Sequence, residues 1–261
     1  MKILFIGDVV GALGRATLKQ HLPALKAEFK PQVVIVNGEN SAHGHGITEA
    51  CYKEILQAGA DVVTLGNHCF DNKAVFDFIE GVPKLVRPAN LPKNNPGQGA
   101  CYVKVNDKLL AVVNLLGRTF MNNPCDCPFE VGKAVIEGAR EVTPLVFVDF
   151  HAETTSDKIA FAHYVDGLAS AVIGTHTHVQ TNDNRILAGG TAFLTDAGMT
   201  GALDGVLGVH PENVINKYIH GYNERFEVLE HGRAQLGGIF IELDDTTGHA
   251  KKTQLIRIED K

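Results

Sequence analysis

No apolar stretch in the 261 residues approaches the ~20 that a membrane-spanning helix needs. The opening Met1-Lys2-Ile3-Leu4-Phe5-Ile6-Gly7-Asp8 holds too short an apolar run for a secretory signal and reads as a first strand. Positive charge is not in excess either: 24 Lys and Arg stand against 30 Asp and Glu, with a net charge of -6. Proteins that bind long nucleic acid by neutralising phosphates carry a basic balance or a Lys/Arg run. Neither a long nucleic acid nor a membrane is therefore an expected partner. A small phosphate ester drawn to bound cations needs no such balance. The five cysteines, Cys51, Cys69, Cys101, Cys125 and Cys127, are odd in number in a large chain, which argues against a disulfide framework and for a reduced, cytoplasmic protein. Cys125-Asp126-Cys127 lacks the second Cys/His pair of a zinc clip and reads as a loop. Linkers, internal repeats and low-complexity tracts are missing too, so one domain over residues 1–261 is expected. No heptads specify an assembly; a homo-oligomer is expected without a feature that defines it.

What is present is an ordinary globular composition, 44% apolar and 21% charged. Its first third repeats one pattern. The apolar run Ile3 to Ile6 ends in Gly7-Asp8, and a helical stretch follows from about Leu13 to Phe29, with Leu18, Leu22 and Leu25 at helix spacing. Val33 to Val36 ends in Asn37-Gly38-Glu39-Asn40, a second helix is expected near Thr48 to Ala58 with Thr48 as its cap, and Val62 to Leu65 ends in Gly66-Asn67-His68. Strands separated by helices in this way are successive βαβ units, and right-handed crossovers make them parallel. Later strand-like runs are Leu109 to Leu116, Leu145 to Phe150, Ala171 to Ile173, Ala192 to Thr195, Gly238 to Leu243 and Thr253 to Ile258. Helices are expected near Phe129 to Glu141, Asp157 to Asp166 and Glu212 to Tyr218, and Leu85 to Gln98, rich in Pro and Asn, reads as a long loop. The result is an α/β fold with two packed sheets and helices outside.

Polar residues recur at one place in this pattern. Asp8, Glu39, Asn40, Asn67, His68, His151, His176 and His178 all lie at, or just past, the C-terminal end of an apolar run. Ligands of parallel α/β sheets bind outside those ends. Imidazole, amide and carboxylate groups are also what hold divalent transition metals. Any one of them alone is explained by a structural hydrogen bond, a helix cap or a turn; the joint placement is not. In His176-Thr177-His178, just beyond a strand, the spacing can present two imidazoles to neighbouring metals. His43 and His45, in the Gly-rich loop after Asn40, either touch substrate or are bland loop residues. His21, His163, His220, His231 and His249 read as structural, and His210 as bland.

These motifs resemble the calcineurin-like metallophosphoesterases, with departures. Asp8-Val9-Val10 lacks the first motif's His, Glu39 stands where an Asp is usual, Cys69 follows His68 where an acid is usual, and Thr175 precedes His176 where a His is usual. The first two departures are similar to the YmdB-like phosphodiesterase branch. Its landmarks run in order through Gly7-Asp8-Val9-Val10-Gly11, Asn37-Gly38-Glu39-Asn40, Gly66-Asn67-His68, Gly117-Arg118, Asp149 to Glu153, Gly174-Thr175-His176-Thr177-His178 and Asp196 to Gly201. The resemblance implies a four-layer α/β/β/α sandwich and two divalent or mixed-valence metal ions, iron first, with manganese or zinc as alternatives. It implies hydrolysis of a small phosphodiester, a 2′,3′-cyclic nucleotide in particular, to a nucleoside 3′-phosphate. Glu39 would bridge the metals, Asp8, Asn40 and His178 would complete one site, and Asn67, His151 and His176 the other. His68 would stand free and donate a proton to the leaving oxygen while a hydroxide held by the two metals attacks phosphorus. Asp71 is near enough in sequence to replace the acid missing at Cys69. Arg118 reads equally as a phosphate contact or a solvated loop residue, and Met199 as a base-pocket or tight-turn residue. The alternatives are a phosphomonoesterase on the same centre, or a non-catalytic metal-dependent sensor of nucleotides or RNA. The glycine-rich first turn does not match a dinucleotide fingerprint, and Asp8 would repel a pyrophosphate there.

Overall fold

The apolar runs become strands whose alternate residues face opposite ways. The structure, a computed structural model, describes residues 1–221 and 227–261. In chain order its elements are β1 (Lys2–Ile6), β2 (Asp8–Val9), α1 (Gly11–Phe29), β3 (Val33–Asn37), α2 (Glu49–Ala58), β4 (Val62–Thr64), β5 (Leu85–Val86), β6 (Ala100–Val105) and β7 (Lys108–Leu116). They continue with α3 (Pro128–Arg140), β8 (Val146–His151), α4 (Thr155–Tyr164), β9 (Ala171–Thr175), β10 (Arg185–Ile186), β11 (Ala192–Leu194), β12 (Met199–Ala202), α5 (Pro211–His220), β13 (Ala234–Leu243) and β14 (Ala250–Glu259).

One sheet runs in the order β2-β12-β13-β1-β3-β4-β5, with β14 on β13; the other runs β10-β11-β9-β8-β7-β6. Neighbours β1, β3, β4 and β5 are parallel, as are β7, β8, β9 and β11, so each sheet gathers several strand ends at one edge. Residue parity sorts the core. Leu4, Ile6, Val34 and Val36 pack against Leu18 and Leu22 of α1 and Ile55 of α2. Their neighbours Ile3, Phe5, Val33 and Ile35 turn the other way and meet Val112, Phe147 and Ile173 of the second sheet. That sheet's outer face, with Val113, Val148 and Phe150, packs on Ile136 of α3 and Phe161 of α4. The two sheets thus bury one face each against the other, with Phe5 and Phe147 ring centroids 5.1 Å apart.

Thr48 caps α2 as expected, its hydroxyl accepting from the Cys51 amide at 3.2 Å. The expected loop from Leu85 to Gln98 is corrected at its start, where Leu85–Val86 pairs in parallel with β4. The rest wraps the Arg87 guanidinium, which donates to the carbonyls of Pro88, Asn95 and Pro96. Strands β2, β6, β10 and β12 had no sequence counterpart: β6 buries only Cys101, β10 is two exposed residues, and β2 is short and pairs in parallel with β12.

Candidate metal centre

Strand ends from both sheets meet at one edge. Asp8 lies in β2, Glu39 and Asn40 follow β3, Asn67 and His68 follow β4, His151 ends β8, and His176 and His178 follow β9. A cavity of about 410 Å³ is lined there by Glu39, Asn40, His68, His176 and His178. His151 joins it through Glu39, Asn67 through His151, and Asp8 through the His176 amide, from which its Oδ2 accepts at 3.2 Å. The structure therefore brings every expected site residue together.

His151 is the hub of one half. Its Nε2 lies 2.9 Å from Glu39 Oε1, 2.8 Å from Asn67 Oδ1 and 3.1 Å from His176 Nδ1. Its other face fixes the tautomer. Thr175 Oγ1 sits 2.6 Å from Asp149 Oδ1 and 2.9 Å from His151 Nδ1. A carboxylate only accepts, so the hydroxyl gives its proton to Asp149 and accepts from His151 Nδ1. The lone pair of a neutral His151 then points from Nε2 into the site, the orientation a metal ligand needs. Asp149 is buried and also accepts from Thr64 Oγ1 at 2.5 Å and Asn37 Nδ2 at 2.9 Å. Burial pushes its pKa up to about 6 even though these donors hold it down. Burial disfavours a charged His151, but the Glu39 carboxylate, with Asp8 and Asp149 behind, overrides it and raises the pKa to about 9. Burial likewise opposes charge on Glu39, and His151 overrides it to hold the carboxyl at about 2. His176 is pushed down to about 3 by burial first and then by His151.

Asp8, Asn40 and His178 make the other half, and here oxygens lack partners. Asp8 Oδ1 and Asn40 Oδ1 are buried without a hydrogen bond. Desolvation raises the Asp8 pKa, with His178 and His151 pulling against it. His178 Nδ1 must donate to the Leu207 carbonyl at 3.0 Å, which frees Nε2. Orphaned buried oxygens beside an imidazole nitrogen left with its lone pair form a donor set that fits a first-row divalent metal. A Cβ at Gly66 would lie 2.3 Å from Glu39 Oε2 and 2.5 Å from His151, so the chain passes this close only as glycine.

Supports that the sequence reading did not assign hold the His176–His178 turn. Both histidines have positive φ, 99° and 64°, which is costly for a side-chain-bearing residue. Asp196 Oδ2 pins the turn by accepting from the Thr177 amide at 3.2 Å and hydroxyl at 2.8 Å, and it takes the fully buried Lys158 Nζ at 2.7 Å. Glu153 Oε2 lies 3.0 Å from His176 Nε2, which leaves Nδ1 facing His151.

His68 stands on the open side. Its Nδ1 lies 2.7 Å from Asp71 Oδ2, so Asp71 does supply the acid missing at position 69. Cys69 is buried, and that burial raises its pKa and keeps the thiol neutral. His45 lines the cavity with its ring edge-on to His68 at 4.5 Å, while His43 turns away to Glu230. Burial, then His68, lowers the His45 pKa. Arg118 is exposed and Met199 buried, and neither lines this cavity; Met199 lines a separate one of about 220 Å³ behind His178. The rest of the lining is mainly apolar, built from Val10, Val206, Leu207, Val209, Val214 and Val228, and Lys217 and Tyr218 of α5 also line it.

Comparisons with known proteins show what the whole chain is similar to. A family model described as YmdB-like protein matches residues 4–256. A Bacillus subtilis (strain 168) protein named 2′,3′-cyclic-nucleotide 2′-phosphodiesterase is 54% identical over 260 residues, covering 100% of this chain and 98% of that protein. A solved structure of a novel phosphatase from Mycoplasma pneumoniae superposes with TM-score 0.94 at 39% identity, covering 99% and 93% of the two chains. A hypothetical protein from Thermus thermophilus gives TM-score 0.93 at 37% identity over 100% of both.

Proposed function

The chain belongs to the YmdB-like family, and on that premise we propose that it is a metal-dependent phosphodiesterase opening 2′,3′-cyclic nucleotides to nucleoside 3′-phosphates. The observation that carries the reading is the meeting of Glu39, Asn67 and His176 at His151 Nε2 beside the orphaned oxygens of Asp8 and Asn40. The fold is read as one domain over residues 1–261, a four-layer α/β/β/α sandwich; the apolar clusters on both faces of each sheet support it. Glu39 would be shared between two cations, iron first with manganese or zinc as alternatives. Asp8, Asn40 and His178 would hold one, and Asn67, His151 and His176 the other.

When bound, the cations supply Lewis acidity to the phosphate oxygens and lower the pKa of a water. The chain's own residues do the rest. Asp149 and Thr175 keep the His151 lone pair aimed at the site. Asp196 and Lys158 hold the two histidines of the turn in their strained backbone. Asp71 accepts from His68 Nδ1 and orients the ring, so that Nε2 hands a proton to the departing 2′ oxygen. Water's oxygen bonds to phosphorus, the P–O2′ bond breaks, and the 3′-phosphate remains. The mainly apolar lining beside the charged floor suits a base and sugar on the one and a phosphate on the other. The acidic balance of the chain speaks against an RNA scaffold.

The test is hydrolysis of 2′,3′-cyclic AMP by manganese-loaded protein, beside its His68→Ala variant, with products identified. Turnover to a 3′-phosphate that the variant loses supports the reading. Hydrolysis of a phosphomonoester in preference to the cyclic diester would replace it with the phosphatase reading, which the description of the Mycoplasma pneumoniae structure favours. A protein that holds two metals and turns over neither would be a sensor.

A further inference from the structure

Beside the centre lies a second group of metal-type side chains. His45 Nδ1, His68 Nδ1 and Asp71 Oδ2 all fall within 4.8 Å of one another at the cavity mouth. The two ring nitrogens are 3.3 Å apart, and the carboxylate oxygen is 2.7 Å from His68 Nδ1. The short contact is a hydrogen bond. The longer one is a poor one, because the His68 Nδ1 proton is already given to Asp71. It is a good spacing for something else. Two nitrogens held by one tetrahedral zinc at ~2.0–2.1 Å lie about 3.3 Å apart. Asp71 needs to move only about 0.6 Å from His68 Nδ1 to reach the same spacing to that nitrogen, it lies within 4.8 Å of His45 Nδ1, and its half-exposed side chain has room to adjust. Two imidazoles and a carboxylate with a fourth position open to water is a zinc-type set.

We propose that His45, His68 and Asp71 form a third cation site, taken by zinc, and that filling it inhibits the enzyme. Binding releases the Nδ1 proton of His68 to solvent and draws the carboxylate away from the ring. His68 keeps its Nε2 proton, but a neutral, metal-bound imidazole is a far weaker acid than an imidazolium, so it no longer delivers that proton efficiently to the leaving oxygen. The inhibitory consequence rests on the diesterase reading above; the binding of the cation does not. The role falls to His45, which the sequence left between a substrate contact and a bland residue of a glycine-rich loop, where Gly44 and Gly46 adopt positive φ and the ring lies edge-on to His68.

The experiment titrates zinc chloride into manganese-loaded protein and follows bound zinc, bound manganese and 2′,3′-cyclic AMP turnover together. Wild type is expected to take up one further equivalent of zinc with its manganese unchanged, and to lose turnover at least tenfold. His45→Gln and Asp71→Asn are expected to take up no further equivalent at the same free zinc. Zinc entering only as manganese leaves, or both variants still binding the further equivalent, would overturn the site. A further equivalent bound with turnover undiminished would overturn the inhibition. A manganese form inactive before zinc is added counts against the diesterase reading alone, and the bound zinc still decides the site.

Discussion

The two sides of the cleft are built in opposite ways. On the floor, Asp8, Glu39, Asn40 and His151 are buried, and the Asp149–Thr175 relay holds His151 from behind. At the mouth, His45 and Asp71 are exposed, His68 is half-buried, and α5 buries none of its residues. The floor's ligand atoms are fixed by the sheets that carry them, whereas the mouth is made of loop side chains with room to move. Ligands that must not shift belong on rigid elements, and groups that must meet and release a substrate belong where reorganisation costs little.

The comparison breaks most completely at Glu39, the carboxylate proposed to be shared by both halves of the floor. Glu39→Ala is expected to leave the protein short of metal by elemental analysis and its turnover at background, a larger loss than any change at the mouth. His68→Ala sharpens the contrast from the other side. A general acid contributes roughly 10²–10⁴-fold, so turnover is expected to fall by about that much while bound metal stays at the wild-type level. Equal loss of both would make His68 a ligand or a structural residue and erase the distinction.

Acid is a milder probe of the floor. A cation at His151 competes with a proton whose pKa the Glu39 carboxylate has raised to about 9. Metal affinity should therefore be highest above that value and weaken as pH falls through it, by up to about tenfold per unit for one displaced proton. Metal titrations at several pH values, with released protons counted, check the slope; a flat profile would mean that His151 is not a ligand.

How far the sequence could foresee the two sides follows from the same contrast. The floor was legible because its polar residues sit at strand ends, and strands declare themselves by local apolar runs. Asp8, Glu39, Asn67, His151 and His176 could be placed on one edge before any pairing was known. Their supports were not legible. Thr175 looked like a departure from a motif, and nothing local says that its hydroxyl would bridge Asp149 to His151 across neighbouring strands. Lys158 reads as a helix surface residue until α4 packs and buries it on Asp196. β6 exposes alternate residues and buries only Cys101, so its apolar signal is weak, and the β2–β12 pairing joins distant segments. Met199 missed the cavity for a related reason: its glycine-rich surroundings mark a turn, but which side of His178 that turn faces is decided by β13.

The smallest expected effect tests whether the relay behind the floor matters at all. Thr175→Val keeps volume and β-branching and removes only the hydroxyl. Asp149 then loses one donor and His151 Nδ1 loses its acceptor, while Nε2 and its partners stay in place. Changing such an outer partner of a metal ligand costs about 10–100-fold in metal affinity or activity, so apparent metal affinity should drop within that range. Turnover at saturating metal should fall less, because nothing at the mouth has changed. Thr175→Ser restores the hydroxyl without the methyl and should recover most of the affinity. If Ser fails to rescue, the loss belongs to packing between β8 and β9 and not to the tautomer of His151.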